Sequence, residues 1–148
     1  MVLHLPTFAK ISRPSLRYSM SQPASFADFP LVQSVLEGLE DKKGQKICVM
    51  DLRHLRERMA DFFVIAQAES STQLRALSES VQEMVRKENG VKPWGSEGQG
   101  HGRWILLDYA EVVVHLFLPE LRDFYNLEQL WNDARITYPQ ATPVANHL

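Results

Sequence analysis

Between Phe29 and Gly44 the apolar residues Leu31, Val32, Val35, Leu36 and Leu39 fall three or four positions apart, and Leu74, Leu77, Val81, Met84 and Val85 repeat that spacing further on. The period places each set on one stripe of an amphipathic α-helix. The first helix leaves through the polar run Asp41 to Gly44. The second carries both its end signals: Ser70 with Gln73 offers a capping box and Asn89-Gly90 a left-handed exit, so a helix is expected over 70–89 with its stripe on a sheet face.

Elsewhere the apolar positions run together. Lys46 to Leu52 reads as a short strand, followed by a charged connection from Arg53 to Met59. Asp61 to Gln67 contains the unbroken run Phe62, Phe63, Val64, Ile65, Ala66, which suits a central strand covered on both faces. Val91 to Trp94 is expected as a third strand and 95–102, rich in glycine, as a loose connection. Trp104 to Leu107 and Val112 to Leu118 are separated by Asp108, Tyr109, Ala110 and Glu111, the pattern of a tight hairpin. Pro119 cannot donate to a ladder and stops the last strand. A short helix follows, with Asn126 as N-cap, Gln129 as its reciprocal partner, and Tyr125 and Leu130 as a hydrophobic staple. The resulting order of helices and strands implies an α+β fold, a five-stranded mixed sheet with helices packed on it.

The flanks differ from this body. Residues 1–28 are expected to be a disordered extension and 136–148 a disordered tail, around one domain at 29–135. Up to Ala27 there is no acid, with five serines, three prolines and scattered basic residues. Such a leader resembles an organellar transit peptide, but it equally fits a bacterial extension or a start-site artefact with Met20 as the true beginning. Cytoplasmic placement is the primary expectation, with mitochondrion or plastid as the alternative. No segment approaches the roughly 18 to 20 apolar residues of a membrane helix.

Charge matters once the chain is divided. All 18 acids lie between Asp28 and Asp133, and 13 of the 16 basic residues follow Asp28, a formal balance of −5 for the body. Phosphate contacts with nucleic acid favour the opposite sign, so a basic protein partner fits better, although the same charge also simply keeps a domain soluble.

Catalytic patterns mostly fail. Magnesium-dependent nucleotide transfer wants carboxylates converging on one face. Asp51, Asp61 and Asp108 stand at or near strand ends, yet none has an acid two positions away. The glycines of 95–102 match no phosphate-binding loop, because no Gly-Lys-Ser/Thr closes them. His115 alternates with Val113 and Phe117 and reads as a core residue; His54 and His101 have no spacing that joins them as ligands, and the lone Cys48 reads as a buried, inert thiol. No metal, cofactor or catalytic residue is assigned. What remains is aromatic: Tyr109, in a turn, is expected to stay partly exposed, Trp104 either caps the core or anchors an interface, and Trp131 shares a helical face with Leu127.

The stretches 61–65, 97–98, 104–109, 112–115 and above all 119–131, ProGluLeuArgAspPheTyrAsnLeuGluGlnLeuTrp, resemble the ribosomal silencing factor, or Iojap, family over roughly Phe29 to Asp133. The resemblance implies a nucleotidyltransferase-like fold without the catalytic residues. It also implies binding to the large ribosomal subunit at protein L-fourteen, which blocks joining of the small subunit and lowers translation when nutrients are short. The family contact surface involves the hairpin, whose matching residues are Trp104 and Tyr109, with Glu97, Asp108 and Glu111 as acidic neighbours. Where the family usually has Gly after the second of these, this chain has Ala110, which disfavours the positive φ of the usual turn. The implied mechanism is occlusion, without membrane or sequence-specific nucleic acid, and with a homodimer as one way to mask an exposed aromatic hairpin. The rival readings are a metal-dependent nucleotidyltransferase using Asp51, Asp61 or Asp108, and an organellar ribosome assembly factor.

Overall fold

A computed structural model describes residues 25–139, and the expectations for 1–24 and 140–148 lie outside them. A 3₁₀ turn (Phe26–Asp28) leads into α1 (Pro30–Asp41), β1 (Gln45–Asp51), β2 (Phe62–Gln67), α2 (Ser71–Asn89), β3 (Gly95–Glu97), β4 (Trp104–Asp108), β5 (Val112–Phe117), α3 (Pro119–Tyr125), α4 (Leu127–Leu130) and β6 (Arg135–Thr137). The expected mixed α+β architecture is present, with six strands instead of five.

Both long helices form where apolar spacing placed them. Pro30 opens α1 at a position whose N–H has no intrahelical partner in any case, and Val32, Val35, Leu36 and Leu39 are buried. At the start of α2 the Ser70 hydroxyl accepts from the Gln73 N–H at 3.2 Å, while the Gln73 side chain accepts from the Glu69 N–H at 3.2 Å. Gly90, at φ 67°, provides the left-handed exit.

The sheet order is β3-β4-β5-β2-β1-β6, with β2 and β5 parallel and every other pair antiparallel. All six residues of β2 are buried, as its unbroken apolar run predicts. One sheet face, with Val49, Phe62, Val64, Ile105, Leu107 and Leu116, packs with the buried stripes of α1 and α2. The other, with Cys48, Met50, Phe63, Ile65, Leu106, Val113 and Phe117, packs with Leu121, Leu127 and Trp131 from the α3–α4 segment.

Three expectations shift. The strand placed at 91–94 forms instead over Gly95–Glu97, with Gly95 opposite Asp108 and Glu97 opposite Leu106. Pro93 lacks a ladder donor and Val91 and Trp94 are exposed, whereas an edge strand needs only backbone hydrogen bonds. The tail expected from Ile136 contains β6, where Ile136 lies opposite Met50 and joins the second core. Residues 25–28, assigned to the extension, form the 3₁₀ turn, and Phe26 packs on the first core.

After Pro119 the chain makes two short helices. Asn126, at φ 43°, closes one with its N–H donating to the Arg122 carbonyl at 2.8 Å and opens the next with its side chain accepting from the Gln129 N–H at 3.3 Å. Leu130 is exposed, which leaves little of the expected staple with Tyr125. Buried Arg122 pins this segment to the sheet instead: Nη1 donates to the Lys46 carbonyl at 2.7 Å and to Gln67 Oε1 at 3.1 Å, and Nη2 pairs with Glu128 at 2.9 Å.

Candidate docking surface

The β4–β5 pairing sets Trp104 opposite Phe117, Leu106 opposite His115 and Asp108 opposite Val113. Directly opposed residues share a sheet face, so Trp104, Leu106 and Asp108 lie on the α3–α4 side, and Glu97, opposite Leu106, joins them. Three of the five predicted contact residues are therefore brought to one face. Glu111 is exposed in the turn, where its carbonyl accepts from the Asp61 and Phe62 N–H groups at 2.8 and 3.0 Å.

Tyr109 corrects the expectation. Its side chain is only 5% exposed and packs in the first core with Ile105 and Leu107, on the opposite face from Trp104. Strand alternation carries through into the turn and directs the ring inward. Its hydroxyl has no hydrogen-bond partner among the described residues, and burial pushes its pKa up to about 12. The turn itself keeps the left-handed geometry despite lacking glycine: Ala110 has φ 70°, its N–H donates to Asp108 Oδ1 at 2.7 Å, and the Tyr109 N–H donates to the Val112 carbonyl at 2.9 Å.

Trp104 turns out to cap the core and reach solvent at once. Half-buried, it stacks on Phe117 with ring centroids 4.8 Å apart and packs against Tyr125 at 4.7 Å, while its indole N–H donates to His115 Nδ1 at 3.2 Å. Tyr125 in turn meets Phe124 edge-on at 5.1 Å, and Phe124 is 60% exposed. An aromatic strip thus runs from buried Phe117 through Trp104 and Tyr125 to Phe124. Sequence reading missed the last two as surface residues: Leu121, Phe124 and Tyr125 stand at i, i+3 and i+4, the spacing of one buried stripe, so the pattern carries no signal of the exposure of Phe124. Trp94, 72% exposed beside β3, was likewise read only as a strand residue. Trp131 packs in the second core with Leu127, as expected.

The carboxylates of the rival reading are occupied locally. Asp51 pairs with Arg53 at 2.7 Å; burial alone would raise its pKa, but the Arg53 hydrogen bonds and charge outweigh that and hold it below the usual range. Asp61 pairs with Arg58 at 3.1 Å. Asp51 lies opposite Phe62 and Asp108 opposite Val113, residues of different faces, so the three do not converge. Among the described residues no three His, Cys, Asp or Glu side chains gather to hold a metal. His54 bonds the Asp133 carbonyl at 2.7 Å and His101 accepts from the Arg103 N–H at 3.1 Å, in separate loops. Cys48 is fully buried, and burial pushes its thiol up to about 12. A polar cleft of about 790 Å³ opens beside Lys46, Asp123 and Tyr138, but the Arg122 guanidinium on its wall already donates to protein acceptors.

A family profile described as "Ribosomal silencing factor during starvation" matches residues 25–147. The chain belongs to the ribosomal silencing factor family. Relatives within it include the ribosomal silencing factor RsfS of Chromobacterium violaceum, 42% identical over 106 residues that cover 70% of this chain and 83% of that protein. A mouse protein named mitochondrial assembly of ribosomal large subunit protein 1 is 33% identical over 98 residues, covering 63% of this chain and 41% of that one. A crystal structure of a C. violaceum protein superposes with a TM-score of 0.66 at 35% identity, covering 81% of this chain and 98% of the other. Among the described residues no helix of this family member is long and apolar enough to cross a membrane.

Proposed function

We propose that this chain is a ribosomal silencing factor that docks on the large ribosomal subunit at protein L-fourteen and keeps the small subunit from joining, which represses translation when nutrients are short. The observation that carries this reading is the aromatic strip Phe117, Trp104, Tyr125 and Phe124, which reaches solvent on the sheet face that also holds Glu97 and Asp108. A few desolvated rings supply most of an interface's affinity, and an acidic rim opposes a basic ribosomal surface. In this reading Tyr109, buried on the other face, supports the hairpin instead of touching the partner. No bond is made or broken: volume overlap at a subunit bridge does the work.

Trp104→Ala is expected to weaken large-subunit binding by about 2 kcal/mol or more, roughly 30-fold, as a truncated hot-spot aromatic does. Sedimentation with isolated large subunits measures it, and joining is scored after adding small subunits. Full binding by a folded Trp104→Ala variant would remove this face from the interface. Unimpaired joining in the presence of excess wild-type protein would defeat the silencing reading as a whole.

The mouse relative favours a second reading, assembly of an organellar large subunit through the same face. Mass spectrometry of the mature N-terminus separates the two. A leader removed near Met20 inside an organelle supports assembly, and an intact leader in a bacterial cytoplasm supports silencing.

A further inference from the structure

His115 is fully buried in the middle of β5, among Phe63, Phe117 and Trp104, with ring centroids 4.7, 6.1 and 5.9 Å away. A polar ring there is costly. Its Nδ1 accepts from the Trp104 indole N–H at 3.2 Å, which requires the proton on Nε2, and that donor finds no hydrogen-bond partner among the described residues. Leu or Phe would fill the same space without an unmatched polar atom, so core stability alone does not account for a histidine at this position. Its one polar contact among the described residues, which an apolar residue could not make, is as an acceptor aimed at Trp104.

We propose that His115 is a positioning residue of the docking surface, holding the Trp104 indole in a single orientation before the partner arrives. The inference rests on Trp104 being an interface anchor. Nε1 is the only polar atom of the Trp104 side chain and it is committed to a buried acceptor, so the part of the ring left to solvent is hydrocarbon. Phe117 and Tyr125 flank the ring and limit its tilt; the hydrogen bond fixes its rotation about the side-chain bonds. Ordering one large side chain in advance removes part of the entropy lost on association, an effect of roughly 3- to 10-fold in affinity.

His115→Leu removes the acceptor, and His115→Asn restores one, its Oδ1 standing near the place of Nδ1. The indole N–H resonance, assigned with Trp104→Phe, reports the bond directly, and affinity for isolated large subunits reports its consequence. The expected result is a shifted, faster-exchanging Trp104 indole proton and a roughly 3- to 10-fold loss of affinity in a folded His115→Leu, and recovery of both in His115→Asn. Unchanged affinity in a folded His115→Leu, with Trp104→Ala still impaired, overturns the positioning role and leaves the docking face standing. Unimpaired Trp104→Ala overturns both. If His115→Leu fails to fold, the wild-type protein decides: an indole proton that exchanges as fast as that of exposed Trp94 means the bond does not restrain the ring and the role is lost.

Discussion

At the scale of single residues, Tyr109 and Ala110 show how two neighbours in one turn serve the fold in opposite ways. Tyr109→Phe deletes a hydroxyl that is buried without a partner, so stability is expected to hold or rise by about 1 kcal/mol in urea denaturation, with large-subunit binding unchanged in sedimentation. Weakened binding by the folded Phe variant would return the hydroxyl to the interface. Tyr109→Ala leaves a ring-sized cavity instead and is expected to cost about 3–5 kcal/mol. Ala110 holds φ 70° where a side chain is disfavoured, so Ala110→Gly should stabilise by about 1 kcal/mol in the same assay; a loss would mean that glycine's added freedom in the unfolded chain outweighs the strain relieved in the turn. The inward aim of Tyr109 was legible. Continuing the alternation Ile105, Leu107 one step further gives it, whereas the polar composition of the turn points to solvent; in the fold the alternation prevails.

Elements were legible wherever side chains decide them. The period of α1 and α2, the Ser70 cap and the solid apolar run of β2 all stand in the sequence because burial selects those residues, and they formed as expected. β3 was misplaced because an exposed edge strand is held by backbone alone, and β6 was missed because three residues carry too little pattern. The Gly-rich connection expected to be loose is in fact tied down: Arg75 of α2 donates through Nε to the Gln99 carbonyl at 3.0 Å and through Nη2 to the Gly100 carbonyl at 2.8 Å. Within it Gly98 has φ 86°, and an added Cβ would lie 1.9 Å from the Trp104 carbonyl oxygen. Gly98→Ala therefore combines a left-handed penalty with a backbone clash and is expected to cost roughly 2–4 kcal/mol. Because the clashing atom belongs to Trp104, tryptophan emission and large-subunit affinity should change with it. A stable variant with native emission would show that the loop moves freely away from β4.

For the molecule as a whole, the aromatic and acidic character of the candidate surface was legible and its layout was not. Trp104 and its acidic neighbours could be named from the family resemblance, but the place of Phe124 and Tyr125 beside them depends on how α3 crosses the sheet, where buried Arg122 reaches the Lys46 carbonyl, 76 positions away in sequence. The body's formal charge of −5 then acts at longer range than any of these contacts. If acidic groups around an apolar anchor steer the protein to a basic partner, charge belongs to the approach and the rings to the hold. Raising salt from ~0.1 M to ~1 M shortens the screening length from about 10 Å to about 3 Å, so on the proposed function association with immobilised L-fourteen should slow several-fold while dissociation changes little. Trp104→Ala should do the reverse, leaving the association rate near wild type and speeding dissociation. Surface-plasmon kinetics at the two salt concentrations read both. An association rate that is flat or rises with salt would mean that the acidic residues on this face serve solubility alone, and the whole interface would then rest on its aromatic strip.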